Sequence, residues 1–262
     1  MKYDELGTRM KDYEKTHRTF IPKQGYVMLR LDGKAFHSYT RGLARPYDID
    51  FMNDMDATCA YLCENIEGVR FGYVQSDEIS LVIPVATLDN PKSELWFDGQ
   101  LQKVVSVSAG MASAKLSQLR IRFDKIAVFD SRVFVLPDFN ELLEYLRFRI
   151  FDASKNAITM AASTVKSHKE LDRISTRGRA AILEESGFPV DSLPAGFRYG
   201  RMLTRELYET EVTFTHKKTL EVHAVLATRS RWVSNAAPNM RDEASIETIR
   251  DILFQKNVPV EA

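Results

Sequence analysis

Runs of apolar residues separated by short polar segments predict the β-strands of this chain. The run at 26–31 predicts a first strand that leads directly into Asp32 and Gly33. The runs at 69–75 and 79–85 flank a few polar residues and predict a β-hairpin. Further runs of the same kind predict strands at 126–129, 133–136, 198–214 and 221–228.

Apolar residues repeating at three- and four-residue spacing predict the helices. The first long helix begins after Pro46 and Asp48 and ends at Gly68, because proline and aspartate favour helix starts and glycine favours helix ends. The same spacing predicts helices at 4–17, 99–119, 139–162 and 242–254, with one or two more within 167–186.

The order of these elements predicts the fold class. Up to Pro137 the order is strand, helix, strand, strand, helix, strand, with 126–136 counted as the last strand region. This order is typical of a split βαββαβ unit, an antiparallel sheet with two helices on one face. We therefore predict an α+β fold, with a ferredoxin-like sheet in residues 1–137. Residues 138–262 form a mostly helical region with a β-hairpin that packs on it.

Composition and charge narrow the class of protein. The chain has 262 residues, 44% of them hydrophobic, with 36 basic and 36 acidic side chains and no net charge. A strongly basic coat for nucleic acid is therefore excluded, although a local basic face is not. Cys59 and Cys63 are interpreted as reduced core thiols, since a zinc site needs more ligands. With a charged N-terminal segment and no apolar run near ~20 residues, we expect a cytoplasmic protein without a membrane span.

Two carboxylates are the candidates for chemistry. Asp32 follows the first strand, and Asp77 lies in the turn of the hairpin. In a split βαββαβ sheet the first and third strands are neighbours, so these two side chains are expected to converge at one sheet edge. A carboxylate pair of this kind suits two hard cations that clamp a phosphoryl group. The alternative is a tight turn at Asp32 and a solvated hairpin tip at Asp77.

Residues around these carboxylates are candidates for nucleotide contacts, and each has a structural alternative. Gly33 has no Cβ and permits a close backbone approach to a metal or phosphate. Lys34, Arg45 and Lys103 carry the positive charge that a triphosphate requires, or are solvated surface charges. Ser76 is a phosphate contact or a turn residue. Phe36 and His37 are stacking platforms for a base, or, for Phe36, core packing.

Two motifs together resemble the tRNA-His guanylyltransferase family. The first runs from Arg30 to His37 and continues at Arg45–Asp48, and the second is Gln75–Ser80. Further matches lie between residues 109 and 156, and the resemblance covers most of residues 5–210. It implies a polymerase-like palm that extends the 5′ end of tRNA, opposite to the direction of ordinary polymerases. The 5′ end is first activated by adenylylation or through an existing triphosphate.

The resemblance also implies roles for individual residues. The metal ligands for two Mg²⁺ ions are Asp32, the backbone carbonyl of Gly33, and Asp77, with Glu78 supporting the site. Nucleotide contacts are expected from His37, Asp48, Ser76 and Lys103, and Asn156 matches an asparagine of a family motif. The implied partners are tRNA, ATP, GTP and other nucleoside triphosphates, and the implied assembly is a homotetramer.

One departure from the family pattern predicts the subtype. Enzymes dedicated to tRNA-His have a His-Ile-Asn-Asn stretch where this chain has Ser154, Lys155, Asn156 and Ala157. The chain is more similar to the guanylyltransferase-like branch, which repairs 5′-truncated tRNA by template-dependent 3′-5′ addition. The alternatives are a strict tRNA-His guanylyltransferase adding a single G, a nucleotide cyclase on the same palm-like fold, and a non-catalytic tRNA-binding protein.

Overall fold

The computed structural model describes residues 3–85, 94–215, 222–238, 240 and 242–254. The strands are β1 Tyr26–Gly33, β2 Phe71–Gln75, β3 Glu78–Pro84, β4 Phe129–Leu136, β5 Arg201–Thr215 and β6 Val222–Ala236. The helices are α1 Tyr3–Thr16, α2 Phe36–Tyr39, α3 Ile49–Asn65, α4 Leu101–Leu119, α5 Phe139–Val165, α6 Thr176–Glu185, α7 Ala195–Arg198 and α8 Glu243–Phe254. Short 3₁₀ turns lie at Trp96–Gly99, Ile121–Phe123 and Val190–Ser192.

The predicted βαββαβ unit is confirmed by the strand order. The six strands form one sheet in the order β4-β1-β3-β2-β5-β6, and every neighbouring pair is antiparallel. The first and third strands are adjacent, with Tyr26 opposite Pro84 and Asp32 opposite Glu78. This register brings the end of β1 beside the turn of the β2–β3 hairpin.

The prediction of two separate strands at 126–129 and 133–136 is wrong. A single strand, β4, pairs with β1 along its whole length, from Phe129 opposite Gly33 to Leu136 opposite Tyr26. The polar residues Asp130 and Arg132, which interrupt the apolar pattern, lie within this strand. They are tolerated because they are alternate residues of β4, so their side chains lie on the same face of the sheet, where both are exposed to solvent.

Helices cover both faces of the sheet because alternate strand residues point to opposite sides. Val27, Leu29 and Leu31 pack in the cluster that includes the buried residues of α3 and α4. Tyr26 and Met28 pack in a second cluster with buried residues of α5 and α8. By the same alternation, Asp32 belongs to the face that α5 covers.

The C-terminal region extends the sheet of the palm-like unit. Residues 201–204 of β5 pair with β2, and β5 pairs with β6 over all 15 residues of each strand. The predicted strand at 221–228 is longer than expected, because its pairing with β5 continues to Ala236. The division near residue 137 stays a prediction.

Two further expectations concern the core and the membrane. Cys59 and Cys63 are free and buried, with their sulfur atoms 3.9 Å apart, as expected of core thiols. Among the described residues, no helix combines the length and the apolar character needed to cross a bilayer.

Candidate active site

Asp32 and Asp77 meet at one end of the sheet, as the predicted topology requires. The backbone amide of Gly33 donates a hydrogen bond to the carbonyl of Asp77, at 3.2 Å. Burial raises the pKa of Asp77 above its ordinary value, and the negative charge of Asp32 raises it further. Hydrogen bonds from the Asp77 amide and from Ser76 act in the opposite direction. The ionisation of Asp77 therefore depends on the charge of Asp32.

A third carboxylate and an arginine lie beside Asp32. Asp130 is the cross-strand partner of Asp32 on β4. The guanidinium of Arg132 lies 3.7 Å from Oδ2 of Asp32, and its Nε lies 3.2 Å from Oδ1 of Asp130. Sequence reasoning missed both residues as parts of the site, because it placed them between two predicted strands.

The oxygen ligands at this end of the sheet suit a hard divalent cation. The side chain of Asp32 is 41% exposed, so its carboxylate is accessible to solutes. The described part of the chain brings no three His, Cys, Asp or Glu residues together as a metal cluster. Mg²⁺ needs only one or two protein carboxylates when water and substrate phosphates complete its shell. Asp32 and Asp77, with the carbonyl of Gly33, are the residues that would hold it.

Glu78 is buried and paired with an arginine from α5. Its carboxylate accepts from Arg149 at 2.8 Å (Nε to Oε1) and 2.5 Å (Nη2 to Oε2). Burial raises the pKa of Glu78, and the charge of Arg149 opposes this shift. A carboxylate held in this way is suited to positioning the strand end that carries Asp77, rather than to direct metal contact. The sequence signal for Arg149 is its place on the otherwise apolar buried face of α5.

A pocket of about 440 Å³ opens beside Asp77. Its walls come from the loop after β1, the start of α3, the hairpin turn, the middle of α5, and α7 with the start of β5. The residues that line it are Phe36, His37, Thr40, Leu43, Ala44, Arg45, Pro46, Tyr47, Asp48, Phe51, Met52, Gln75, Ser76, Asp77, Ala153, Asn156, Ala157, Met160, Phe197 and Arg201.

Several predicted nucleotide contacts line this pocket. His37, Arg45, Ser76 and Asn156 are exposed and contribute to its walls. Asp48 also lines it, but both of its carboxylate oxygens accept backbone hydrogen bonds, from Phe51 at 2.8 Å and Ala44 at 3.1 Å. It is the N-cap of α3, which agrees with its predicted place at the start of that helix.

Phe36 is a core residue. It is 4% exposed, and its ring centroid lies 4.7 Å from that of Tyr39 and 5.1 Å from that of Phe129. Of the two alternatives for this residue, the structure favours core packing over an open stacking platform. The Phe36 ring also explains why residue 33 is a glycine, because a Cβ added there would lie 2.4 Å from a ring carbon of Phe36. The fold thus requires glycine at this position whether or not a metal binds.

Lys34 and Lys103 lie outside the pocket. Both are exposed, and neither is among the residues that line it. The Lys103 ammonium lies 5.7 Å from the centroid of the Phe97 ring. A phosphate contact from either lysine therefore has to be made outside this pocket.

Sequence reasoning missed two buried polar residues of the pocket. Arg201 pairs with Asp56 at 2.7 Å and also donates to the carbonyls of Gly196 and Met52, so it fixes the pocket wall. Gln75 was placed only within a family motif, yet its side chain is buried against the pocket.

Comparisons with known proteins agree with this geometry. The family model described as tRNAHis guanylyltransferase (Thg1) matches residues 7–137. A bacterial Thg1-like protein solved with ATP is 31% identical and superimposes with a TM-score of 0.79, covering 95% of this chain and 99% of that one. A structure of such a protein with GTP gives 31% identity over the same shares of each chain and a TM-score of 0.76. A probable tRNA(His) guanylyltransferase of Mus musculus is 26% identical over 232 residues, 80% of this chain and 76% of that protein. The chain belongs to the tRNAHis guanylyltransferase family of nucleotidyltransferases.

Proposed function

We propose that this protein is a template-dependent 3′-5′ nucleotidyltransferase that repairs the 5′ end of truncated tRNA. The observation that carries the proposal is that Asp32 and Asp77 meet at one end of the sheet and that Asp77 lines a pocket of about 440 Å³, a volume suited to a small ligand. Family membership supports tRNA as substrate, and the bacterial relatives solved with ATP and GTP support a nucleoside triphosphate in the pocket.

The arrangement suits phosphoryl transfer. Such reactions ask the protein mainly for positioning and for compensation of negative charge. Two Mg²⁺ ions at Asp32, Gly33 and Asp77 would supply that compensation, and Glu78 with Arg149 would hold the strand end in place. Arg45, Ser76 and Asn156 line the pocket and are placed to bind and orient the nucleotide. The tRNA template, rather than a protein pocket, would then choose the base.

The proposal of the repair subtype depends on the residues of α5 that differ from the family stretch. Asn156 and Ala157 line the nucleotide pocket, whereas Ser154 lines a separate concavity formed with Phe151 and Tyr199. The residue that replaces the family histidine is therefore not part of the nucleotide pocket. We propose that this change leaves nucleotide binding intact and that it affects the choice of tRNA only together with the change at Ala157.

A direct competition tests the proposal. Purified protein with Mg²⁺, ATP and all four nucleotides is offered full-length tRNA-His lacking its extra G, and a generic tRNA missing its first 5′ nucleotide. Faster templated extension of the truncated tRNA supports repair. Preference for tRNA-His instead assigns the strict guanylyltransferase activity. Nucleotide binding without incorporation into either tRNA contradicts the proposal and favours a cyclase or a binding protein. The same preparation, sized by light scattering, tests the proposed homotetramer.

A further inference from the structure

Lys125 attaches one wall of the proposed nucleotide pocket to the segment that leads into β4. Its ammonium donates hydrogen bonds to the backbone carbonyls of Ser38, at 3.0 Å, and of Tyr39, at 2.9 Å. These are the last carbonyls of α2, and the carbonyls at a helix end need donors from outside the helix. Because Tyr39 and Lys125 are 86 positions apart, the contact fixes α2 against a distant part of the chain.

The segment that follows α2 contributes much of the pocket wall. Residues 40 and 43–48 line the pocket. Every residue between Tyr39 and Phe51 is exposed or half-buried, and the structure describes all of them. The position of this segment therefore depends on hydrogen bonds near its ends more than on burial in the core.

Asp48 and Lys125 supply side-chain hydrogen bonds near the two ends of this segment. Asp48 accepts from the amide of Ala44 at 3.1 Å and is the N-cap of α3. Lys125 holds the carbonyls at the end of α2. The chain before α2 is also attached, since the amide of Lys34 donates to the carbonyl of Val128 at 2.8 Å. That bond joins two backbone groups, so a substitution at position 125 removes the side-chain attachment and leaves the backbone one.

An aromatic ring helps to place the Lys125 ammonium. The ammonium lies 4.8 Å from the centroid of the Phe123 ring, and this ring packs edge-on against that of Tyr39, with centroids 5.2 Å apart. A cation near an aromatic face is attracted by the ring. The contact therefore favours the side-chain conformation that reaches α2, although the residue is exposed.

We infer that Lys125 is a positioning residue for the bound nucleotide: it holds residues 40–48 in the place from which they contact the ligand. This inference rests on the proposed function, since it assumes a nucleoside triphosphate in the pocket. Lys125 itself does not line the pocket. Its loss should therefore weaken nucleotide binding and leave the chemistry at Asp32 and Asp77 unchanged.

Hydrogen exchange and nucleotide binding, measured on the full chain, test this role. Lys125→Met keeps an unbranched side chain that donates no hydrogen bond. We expect the amides of residues 38–48 to exchange about 3- to 10-fold faster, which corresponds to one net hydrogen bond. The Kd of ATP with Mg²⁺, from titration calorimetry, and the KM for ATP in 5′ activation should rise by a similar factor. The value of kcat should stay the same.

Further variants separate the hydrogen bonds from other effects of the substitution. Lys125→Arg keeps donors for both carbonyls and should retain wild-type exchange and affinity. The control Lys115→Met removes an ammonium 5.4 Å from the centroid of the Tyr61 ring, a contact of the same kind outside the pocket, and should change neither quantity. If Lys125→Met does not fold, Lys125→Gln, whose donor is shorter and uncharged, is expected to change both in the same direction.

Each outcome decides for or against this role. Wild-type exchange of residues 38–48 in Lys125→Met overturns the anchoring, and faster exchange with unchanged ATP affinity overturns the positioning role. A lower kcat with an unchanged KM also overturns it, as does an equal loss of affinity in Lys125→Arg. Failure of the wild-type protein to bind any nucleotide overturns the proposed function and this role with it, whereas the exchange measurement still shows whether Lys125 anchors α2.

Discussion

Arg149 and Glu78 form a two-point ion pair that joins the middle of α5 to the first residue of β3. The guanidinium donates to both carboxylate oxygens, at 2.8 and 2.5 Å, and both side chains are buried. Glu78 is also the register partner of Asp32. The pair therefore stabilises the end of the sheet where the proposed metal-binding carboxylates meet.

Removing one partner of this pair is expected to be costly. Arg149→Met leaves the Glu78 carboxylate buried without its cation, and we expect a loss of about 3–5 kcal/mol in the free energy of unfolding. The double variant Glu78→Gln/Arg149→Met should lose less, because no charge remains buried. Urea denaturation measures both. The control Glu144→Gln breaks a largely exposed pair with Arg147 on the same helix, where about 0–1 kcal/mol is expected. Equal losses in all three variants would contradict this account.

Asp32→Ala and Asp77→Ala test the carboxylate pair. Each variant is expected to lose 5′ activation and nucleotide transfer by ~100-fold or more, because metal binding contributes several kcal/mol to such reactions. Circular dichroism and thermal unfolding should show an intact fold. Asp12→Asn, at an exposed position on α1, serves as the matched control. Full activity in either alanine variant would contradict the assignment of two metal ions to this site.

The raised pKa of Asp77 predicts how stability depends on pH. In the unfolded chain this carboxyl ionises near its ordinary pKa of about 3.9, whereas burial delays ionisation in the folded protein. The folded state thus binds more protons in this window, and its stability falls as pH rises from that value through the raised pKa. Asp77→Asn removes the effect. Without divalent cations, the stability of the variant relative to wild type should increase as the pH rises above about 4; a difference that does not change with pH would argue against this account.

Two glycines should respond in opposite ways to alanine. Gly33→Ala places a Cβ 2.4 Å from the Phe36 ring, and we expect a loss of about 1–3 kcal/mol from overpacking. In Gly110→Ala, within α4, the added Cβ has no atom of the described residues within 4 Å, and the variant should gain roughly 0.5–1 kcal/mol from helix propensity. Thermal unfolding measures both. Partial recovery of Gly33→Ala by adding Phe36→Leu would attribute the loss to the ring contact, and no recovery would refute that cause.

Ser154→His restores one residue of the family stretch on α5. Because Ser154 lies in a concavity separate from the proposed nucleotide-binding pocket, the affinity for ATP should not change. Selectivity for tRNA-His should not arise either, since Ala157 still differs from the asparagine expected there. The competition between the two tRNAs provides the measurement. A clear gain of tRNA-His selectivity would show that the histidine alone sets the subtype.

Much of the fold follows from local patterns. Apolar periodicity located the β1 strand, the β2–β3 hairpin and the helices α3, α4 and α5 to within a few residues. Topology then brought Asp32 beside Asp77, because the first and third strands of a split βαββαβ sheet are neighbours. The apolar pattern gave the wrong bounds for β4, where Asp130 and Arg132 interrupt the apolar run but remain in the strand, since their side chains are exposed on one face of the sheet.

The tertiary structure decided which side chains act together. Glu78 and Arg149 are 71 positions apart, and their pairing depends on how α5 is turned against the sheet. The same packing buried Phe36 and left Lys103 outside the pocket. It also left the buried side-chain oxygen of Gln75 without a hydrogen-bond partner among the described residues. The sequence by itself determined most of the long elements, their order and the carboxylate pair, because these depend on local periodicity and on a restricted topology. Burial and partners depend on contacts between distant segments, and only the folded chain determines those.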